Sequence, residues 1–147
     1  MITRPIALGL VALSIAAAGT GMTWKATLEA KDGSKLGGTA LVESMGYTTS
    51  RASVELTGAK PGSVMPWHIH NGACGGKGAI LGDASAYPPL SVGPDGHAIG
   101  NVTLPIAPPP TGDLSVMVHK SKTDMTPIAC GTLKAEVPAA KDTTSRH

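Results

Sequence analysis

The side chains of this chain best suited to chemistry are its histidines. There are five of them: His68, His70, His97, His119 and His147. In the run Trp67-His68-Ile69-His70, alternation along a β-strand would place both imidazoles on one face, about 7 Å apart, and both apolar side chains on the other. Two neutral imidazoles at this spacing can bind one metal ion, and imidazole suits copper or zinc. The simpler alternative is a half-exposed strand that happens to carry two histidines.

A second strand can complete such a site. In the run Val116-Met117-Val118-His119, the valines are predicted to point inward, and Met117 and His119 outward. His68, His70 and His119 would then all lie on the outer side of their strands, opposite the core. We therefore predict a three-histidine metal site on the outer wall of a β-barrel or sandwich. Met117 carries a soft thioether suited to Cu(I), and its spacing from His119 fits either an axial ligand or a neighbour of the ligands.

Two cysteines lie near the histidine-bearing segments. Cys74 follows His70 by four residues, and Cys130 follows His119 by eleven. In an exported protein the default interpretation of two cysteines is one disulfide. That bond would bring the two histidine segments together and so favours the metal site. The alternative is that Cys74 is a thiolate ligand beside the histidines.

The N-terminus has the pattern of a secretory signal peptide. A positive start at Met1–Arg4 precedes an apolar run, Ile6–Ala18, which ends in three alanines. The run is too short to span a bilayer comfortably, so no stable membrane anchor is predicted. We predict a signal peptide over residues 1–18, one domain over 19–137 and a disordered polar tail over 138–147. The protein is accordingly expected to be secreted or periplasmic, and the alternative for the apolar run is a buried strand or helix.

The composition excludes several classes of protein. Only 15% of the 147 residues are charged, which is too few for a long charged helix or coiled coil. The net charge of +2 comes without a basic patch, so nucleic acid is not an expected partner. No serine–histidine–aspartate order or pair of carboxylates indicates hydrolysis. Metal or redox chemistry is what the remaining residues can support.

Apolar residues alternate with period two along most of the chain, which predicts seven or eight short strands. The strand-like runs are Trp24–Ala30, Thr39–Glu43, Ala52–Gly58, Val64–His70, Ala98–Leu104, Leu114–His119 and Cys130–Val137. Turn signals such as Asp32-Gly33, Pro61-Gly62 and Pro94-Asp95-Gly96 separate many of them. We therefore predict an all-β fold, an antiparallel sandwich or barrel.

Several of these motifs, taken in order, resemble the secreted copper/zinc superoxide dismutases. The motifs are Leu56-Thr57-Gly58 with Pro61-Gly62, His68-Ile69-His70, Cys74, Asp95-Gly96, Val118-His119 and Ile128-Ala129-Cys130-Gly131. The resemblance covers most of the chain after the predicted signal peptide and implies a Greek-key barrel of eight strands. It also implies that His68, His70 and His119 are copper ligands. A disulfide from Cys74 to Cys130, tying a loop to the last strand, is implied as well.

Other features of that family are missing from this sequence. Its metal-binding loop carries a histidine that bridges copper to zinc, followed by further zinc ligands, whereas residues 75–93 contain no histidine and only one acid, Asp83. Pro127 stands where the family has an arginine that guides superoxide. We therefore predict one copper ion and no zinc, with copper buffering, storage or delivery as the function. The alternative is a zinc-free copper superoxide dismutase that converts superoxide to oxygen and hydrogen peroxide.

A weaker resemblance leads to the bacterial CHRD-type domains. Pro66–Leu81 and Val116–His119 are similar to the His-Ile-His and Val-x-Val-His segments of that group. This resemblance would make the chain a non-catalytic structural or interaction module. His97 follows a turn and His147 lies in the polar tail, so neither is predicted to be a metal ligand.

Overall fold

The computed structural model describes residues 21–136, which form nine β-strands and one 3₁₀ turn at Ala84–Ala86. The predicted signal peptide, the tail over residues 138–147 and His147 lie outside the described residues. The strands are β1 (Thr23–Ala30), β2 (Gly37–Ser44), β3 (Ser50–Thr57), β4 (Val64–Met65), β5 (Trp67–Asn71), β6 (Leu90–Ser91), β7 (Ala98–Leu104), β8 (Leu114–His119) and β9 (Pro127–Glu136). Within this part of the chain, no helix has the length and apolar character needed to cross a bilayer.

Seven strands form one curled antiparallel sheet, a half-barrel, in the order β5-β8-β9-β1-β2-β3-β7. The two shortest strands, β4 and β6, pair with each other in a separate small sheet. The connections from β3 to β5 and from β7 to β8 cross between strands that are not neighbours, as in a Greek key rather than a simple meander. The predicted all-β antiparallel fold is confirmed.

Alternation of side chains accounts for the core. Along β7, every second residue from Ala98 to Leu104 is buried, and the residues between them are exposed. Trp24 and Trp67 are the largest buried side chains, at 1% and 0% exposure. The turn between β1 and β2 contains Asp32 and Gly33 with positive φ angles of 51° and 69°, the left-handed geometry that an Asp-Gly pair favours.

Two strand predictions need correction, and one strand was missed. The run Val64–His70 is not one strand, because the chain changes partners at Pro66: β4 pairs with β6, and β5 pairs with β8. Proline lacks the N–H that a continuous ladder would need there. The strand Leu90–Ser91 was not predicted, since two residues are too short to show alternation. The last strand begins at Pro127, three residues before the predicted start at Cys130.

Trp67 anchors β5 to the segment that covers it. Its indole Nε1–H donates a hydrogen bond to the Pro88 carbonyl at 2.8 Å, and its ring meets the Tyr87 ring edge-on at 5.2 Å between centroids. Gly100 on β7 leaves room for this indole, because a Cβ there would come within 2.8 Å of the Trp67 ring. The packing therefore fixes the strand that carries two of the histidines.

Candidate metal centre

Strands β5 and β8 bring the three histidines to one face of the sheet. In the antiparallel register, His68 lies opposite Met117 and His70 lies opposite Ser115. Trp67 and Ile69, the alternate residues of β5, are fully buried on the other side. His119 ends β8, where its backbone N–H donates to the Pro66 carbonyl at 2.9 Å. Strand alternation therefore positions the imidazoles as the sequence pattern predicts.

The three imidazoles converge. Ring centroids are 5.2 Å apart for His68 and His119, 6.1 Å for His68 and His70, and 6.3 Å for His70 and His119. One nitrogen from each ring lies within 4.8 Å of the other two, close enough for all three to bind a single ion. Among residues 21–136, no other group of three histidines, cysteines or acids has this geometry.

The site is covered, although the sequence pattern placed it on an outer wall. His68 is 6% exposed and His119 is 5% exposed. The cover is the loop of residues 72–89, which runs along the free edge of β5, where the Leu81 N–H donates to the Ile69 carbonyl at 2.8 Å. The Tyr87 ring lies 5.3 Å from the His68 ring. These histidines face away from the main core but are enclosed by a second layer of chain.

Backbone carbonyls orient two of the rings. His70 Nδ1 lies 3.0 Å from the Gly78 carbonyl oxygen, and His119 Nδ1 lies 2.9 Å from the Met125 carbonyl oxygen. A carbonyl only accepts, so each Nδ1 carries the hydrogen and each Nε2 keeps its lone pair. His70 Nε2 is buried without a hydrogen-bond partner, and His119 Nε2 lies 3.2 Å from His68 Nδ1. The rings are thus held as metal-ligating imidazoles usually are, with the second nitrogen fixed by a backbone oxygen.

Gly78 is the residue that lets the covering loop reach His70. A Cβ at this position would overlap the Asn71 carbonyl oxygen, so only glycine allows the loop and β5 to come this close. The Asn71 N–H, in turn, donates to the Ala79 carbonyl at 2.9 Å. This close approach presents the Gly78 carbonyl to the imidazole.

Burial keeps the imidazoles of His68 and His119 neutral. The pKa of His68 is lowered to about 4, chiefly because burial disfavours the charged form and also because of charge repulsion from His119 and His70. Burial also lowers the pKa of His119, an effect opposed by the hydrogen bond to the Met125 carbonyl. A neutral imidazole can offer a lone pair to a metal, whereas an imidazolium cannot. Both rings are therefore ready to act as ligands at neutral pH.

The two cysteines form the expected disulfide. Cys74 and Cys130 are joined by an S–S bond of 2.08 Å, with Cα atoms 6.0 Å apart. The alternative of Cys74 as a thiolate ligand is therefore wrong. The Cys74 N–H also donates to the Thr132 hydroxyl at 3.1 Å, so the covering loop is tied twice to β9. Cys130 lies directly opposite Met117 in the register, which places the disulfide beside the site.

Of the remaining residues considered as ligands, Met117 lies beside the cluster and His97 does not. Met117 lies on the histidine-bearing face and is half-buried. His97 is exposed at a turn outside the cluster. Sequence reasoning missed the contributions of Gly78 and Met125, because each holds a ring through a backbone carbonyl, which any residue type supplies. The need for glycine at position 78 arises from its close approach to Asn71, which only the fold shows.

No model of a known protein family matches this chain, and a search of the curated proteins finds no match. The cluster of His68, His70 and His119 could hold a metal ion.

Proposed function

We propose that this protein is an exported copper-binding protein with a superoxide dismutase-like fold. His68, His70 and His119 would hold one copper ion, which the protein buffers, stores or hands on. Copper supplies the redox chemistry when bound. The chain itself supplies three oriented nitrogen ligands, a covering loop and a disulfide.

The state of the His70 ring carries this proposal. Its Nε2 atom is buried without a partner, while its Nδ1 atom is held by the Gly78 carbonyl. An unpaired buried polar atom costs about 1–3 kcal/mol, so such an atom in a native protein calls for an explanation. An ion shared with His68 and His119 would satisfy it. If the histidines had only a structural role, the lone pair of His70 Nε2 would remain buried without a partner.

Two arguments favour copper over zinc. Imidazole nitrogens bind both metals, but divalent copper stands above zinc in the usual order of affinities. The sequence resemblance also assigns these three histidines to copper. A neighbouring zinc ion would also lack ligands, since residues 75–93 contain no histidine and only one acid, Asp83.

Export agrees with the chemistry of the cysteines. A disulfide between Cys74 and Cys130 would persist in an oxidising compartment and would be reduced in most cytosols. The signal-like pattern over residues 1–18 points to the same compartment. A secreted or periplasmic location is therefore part of the proposal.

Titration of the purified protein with Cu(II), followed by electron paramagnetic resonance, tests the site. We expect one equivalent to bind with nitrogen hyperfine structure. His70→Ala should weaken binding at least tenfold, whereas His97→Ala, at an exposed histidine outside the cluster, should bind as the parent does. Equal loss in both variants would point to adventitious surface binding, and no binding of either Cu(II) or Cu(I) at one equivalent would refute the proposal. Competition with Zn(II) in the same titration identifies the preferred metal.

A superoxide-decay assay on the copper-loaded protein separates a carrier from an enzyme. If the protein is a carrier, superoxide should decay little faster with the copper-loaded protein than with the copper-free protein. Rapid decay that disappears in His70→Ala would instead establish the zinc-free dismutase. If neither metal binds, the CHRD-like structural module becomes the better description.

A further inference from the structure

Met117 occupies the position on the sheet that borders all three histidines. It lies directly opposite His68 in the β5–β8 register and two residues before His119 on the same face of β8. His70 lies one diagonal step away, opposite Ser115. Side chains directly opposite each other have Cβ atoms about 5 Å apart, and those on the diagonal are within reach of long side chains. No other residue of β5 or β8 on this face has all three histidines as neighbours.

The other nearby side chains are poorer candidates for a fourth ligand. The Tyr87 hydroxyl donates its hydrogen to the Leu81 carbonyl at 2.6 Å, so it offers only a neutral, hard oxygen. Ser115 is fully buried and offers only a neutral hydroxyl oxygen, a hard donor. Cys130, on the far side of Met117, is in the disulfide. On β5 and β8, the flexible thioether of Met117 is the soft donor that remains; Met125, which contacts His119 through its carbonyl, is 47% exposed and lies outside these strands.

A thioether donor favours one oxidation state of copper over the other. Thioethers bind Cu(I) and add little to the binding of Cu(II), which prefers nitrogen and oxygen ligands. Met117 is half-buried, whereas His68 and His119 are only 6% and 5% exposed. Part of the Met117 residue is therefore accessible, next to two histidines that are almost fully enclosed.

We infer that Met117 is a fourth, thioether ligand that makes this site selective for Cu(I). This inference rests on the proposed function and specifies its cargo: the protein carries reduced copper. A neutral, exchangeable sulfur at the accessible side of the cluster would allow Cu(I) to pass to an acceptor without first leaving all three histidines.

The test compares Met117→Leu with Met65→Leu. Both replace a methionine by a side chain of similar volume, which protein cores tolerate well. Met65 is buried on β4 at 4% exposure and is not part of the cluster, so it is the matched control. Affinities are measured by competition with chromogenic chelators for Cu(I) and Cu(II), and Cu(I) ligands by X-ray absorption at the copper edge.

We expect Met117→Leu to lower Cu(I) affinity at least tenfold and Cu(II) affinity less than threefold. A tenfold loss confined to Cu(I) corresponds to a fall of about 59 mV in the one-electron potential. The copper edge should show one sulfur ligand in the parent and in Met65→Leu, and none in Met117→Leu.

Failure of this inference is distinguishable from failure of the proposed function. If the parent binds neither oxidation state, the copper site itself is refuted. If the parent binds copper through nitrogen alone, and Met117→Leu binds Cu(I) as tightly as the parent, only the thioether ligand is refuted. Thermal unfolding of the metal-free variants shows whether each one is folded, so that a loss of affinity is not mistaken for a loss of fold.

Discussion

The disulfide should supply a large part of the stability of this domain. Cys74 and Cys130 are 56 residues apart in sequence, so the bond closes a long loop in the unfolded chain. The chain-entropy relation gives a stabilisation of about 4 kcal/mol for a loop of this length. Domains of ordinary stability unfold with about 5–15 kcal/mol. Replacing both cysteines with serine should therefore remove a substantial fraction of the free energy of unfolding.

Urea unfolding of metal-free protein measures this loss. We expect the double variant Cys74→Ser/Cys130→Ser to be less stable by about 4 kcal/mol, with a melting temperature lower by about 15 °C. The slope of the free energy against urea should rise, because the unfolded chain without the cross-link exposes more surface. Reduced parent protein, which keeps both sulfur atoms, is the control for the serine substitutions.

A small loss of stability in the double variant would contradict this reasoning. A loss below about 1 kcal/mol, with an unchanged urea slope, would show that the bond does not restrict the unfolded chain as reasoned. A large loss in the serine variant with none in the reduced parent would instead assign the effect to the buried site of Cys130, which is 3% exposed.

Two further results follow from the histidine environment. The pKa of His68 is about 4 when folded and near 6.5 when unfolded, so between these values the unfolded chain binds more protons. Metal-free protein should therefore lose about 2 kcal/mol as the pH falls from 7 to 4.5, after allowance for solvent screening, and His68→Gln should reduce that dependence in urea titrations. Gly78→Ala should displace the carbonyl that holds His70 and lower copper affinity about 10–100-fold in chelator competition; unchanged affinity would contradict the orienting role.

Features that depend on the local order of residues, such as strand bounds and the face on which a side chain lies, were predicted from the sequence. The bounds of β7 (Ala98–Leu104) and β8 (Leu114–His119) agree with the sequence prediction. Burial alternates without interruption along β7, whereas β8 is buried on both faces. The same alternation placed His68 and His70 on the face opposite Trp67. The break at Pro66 was missed because apolar residues continue on both sides of it, and the choice of partner strand is a property of the whole sheet.

The enclosure of the site could not be predicted, because it depends on contacts between distant segments. The loop of residues 72–89 is rich in glycine and shows no period, so its path along β5 is set by pairing at Ile69 and by the disulfide. Orientation of the rings depends on the carbonyls of Gly78 and Met125, and any residue type supplies a carbonyl. The sequence predicted that the three histidine side chains meet. Which ring nitrogen carries the hydrogen, and how far each ring is buried, depend on contacts that only the folded structure shows.

The covering loop connects the proposed compartment to the proposed ligand. Its glycines provide few side chains for packing, so the bond at Cys74 and the apolar contacts near Tyr87 hold it over the cluster. Reduction of the disulfide would release one of these attachments and weaken the hold on His70 through Gly78. A copper ion held by the three histidines would bind only the folded arrangement, and would therefore add stability that grows with the logarithm of copper concentration above the dissociation constant. Oxidation and copper binding should thus reinforce each other: the reduced, metal-free chain has the most mobile loop, and the oxidised, copper-loaded chain is the most stable form.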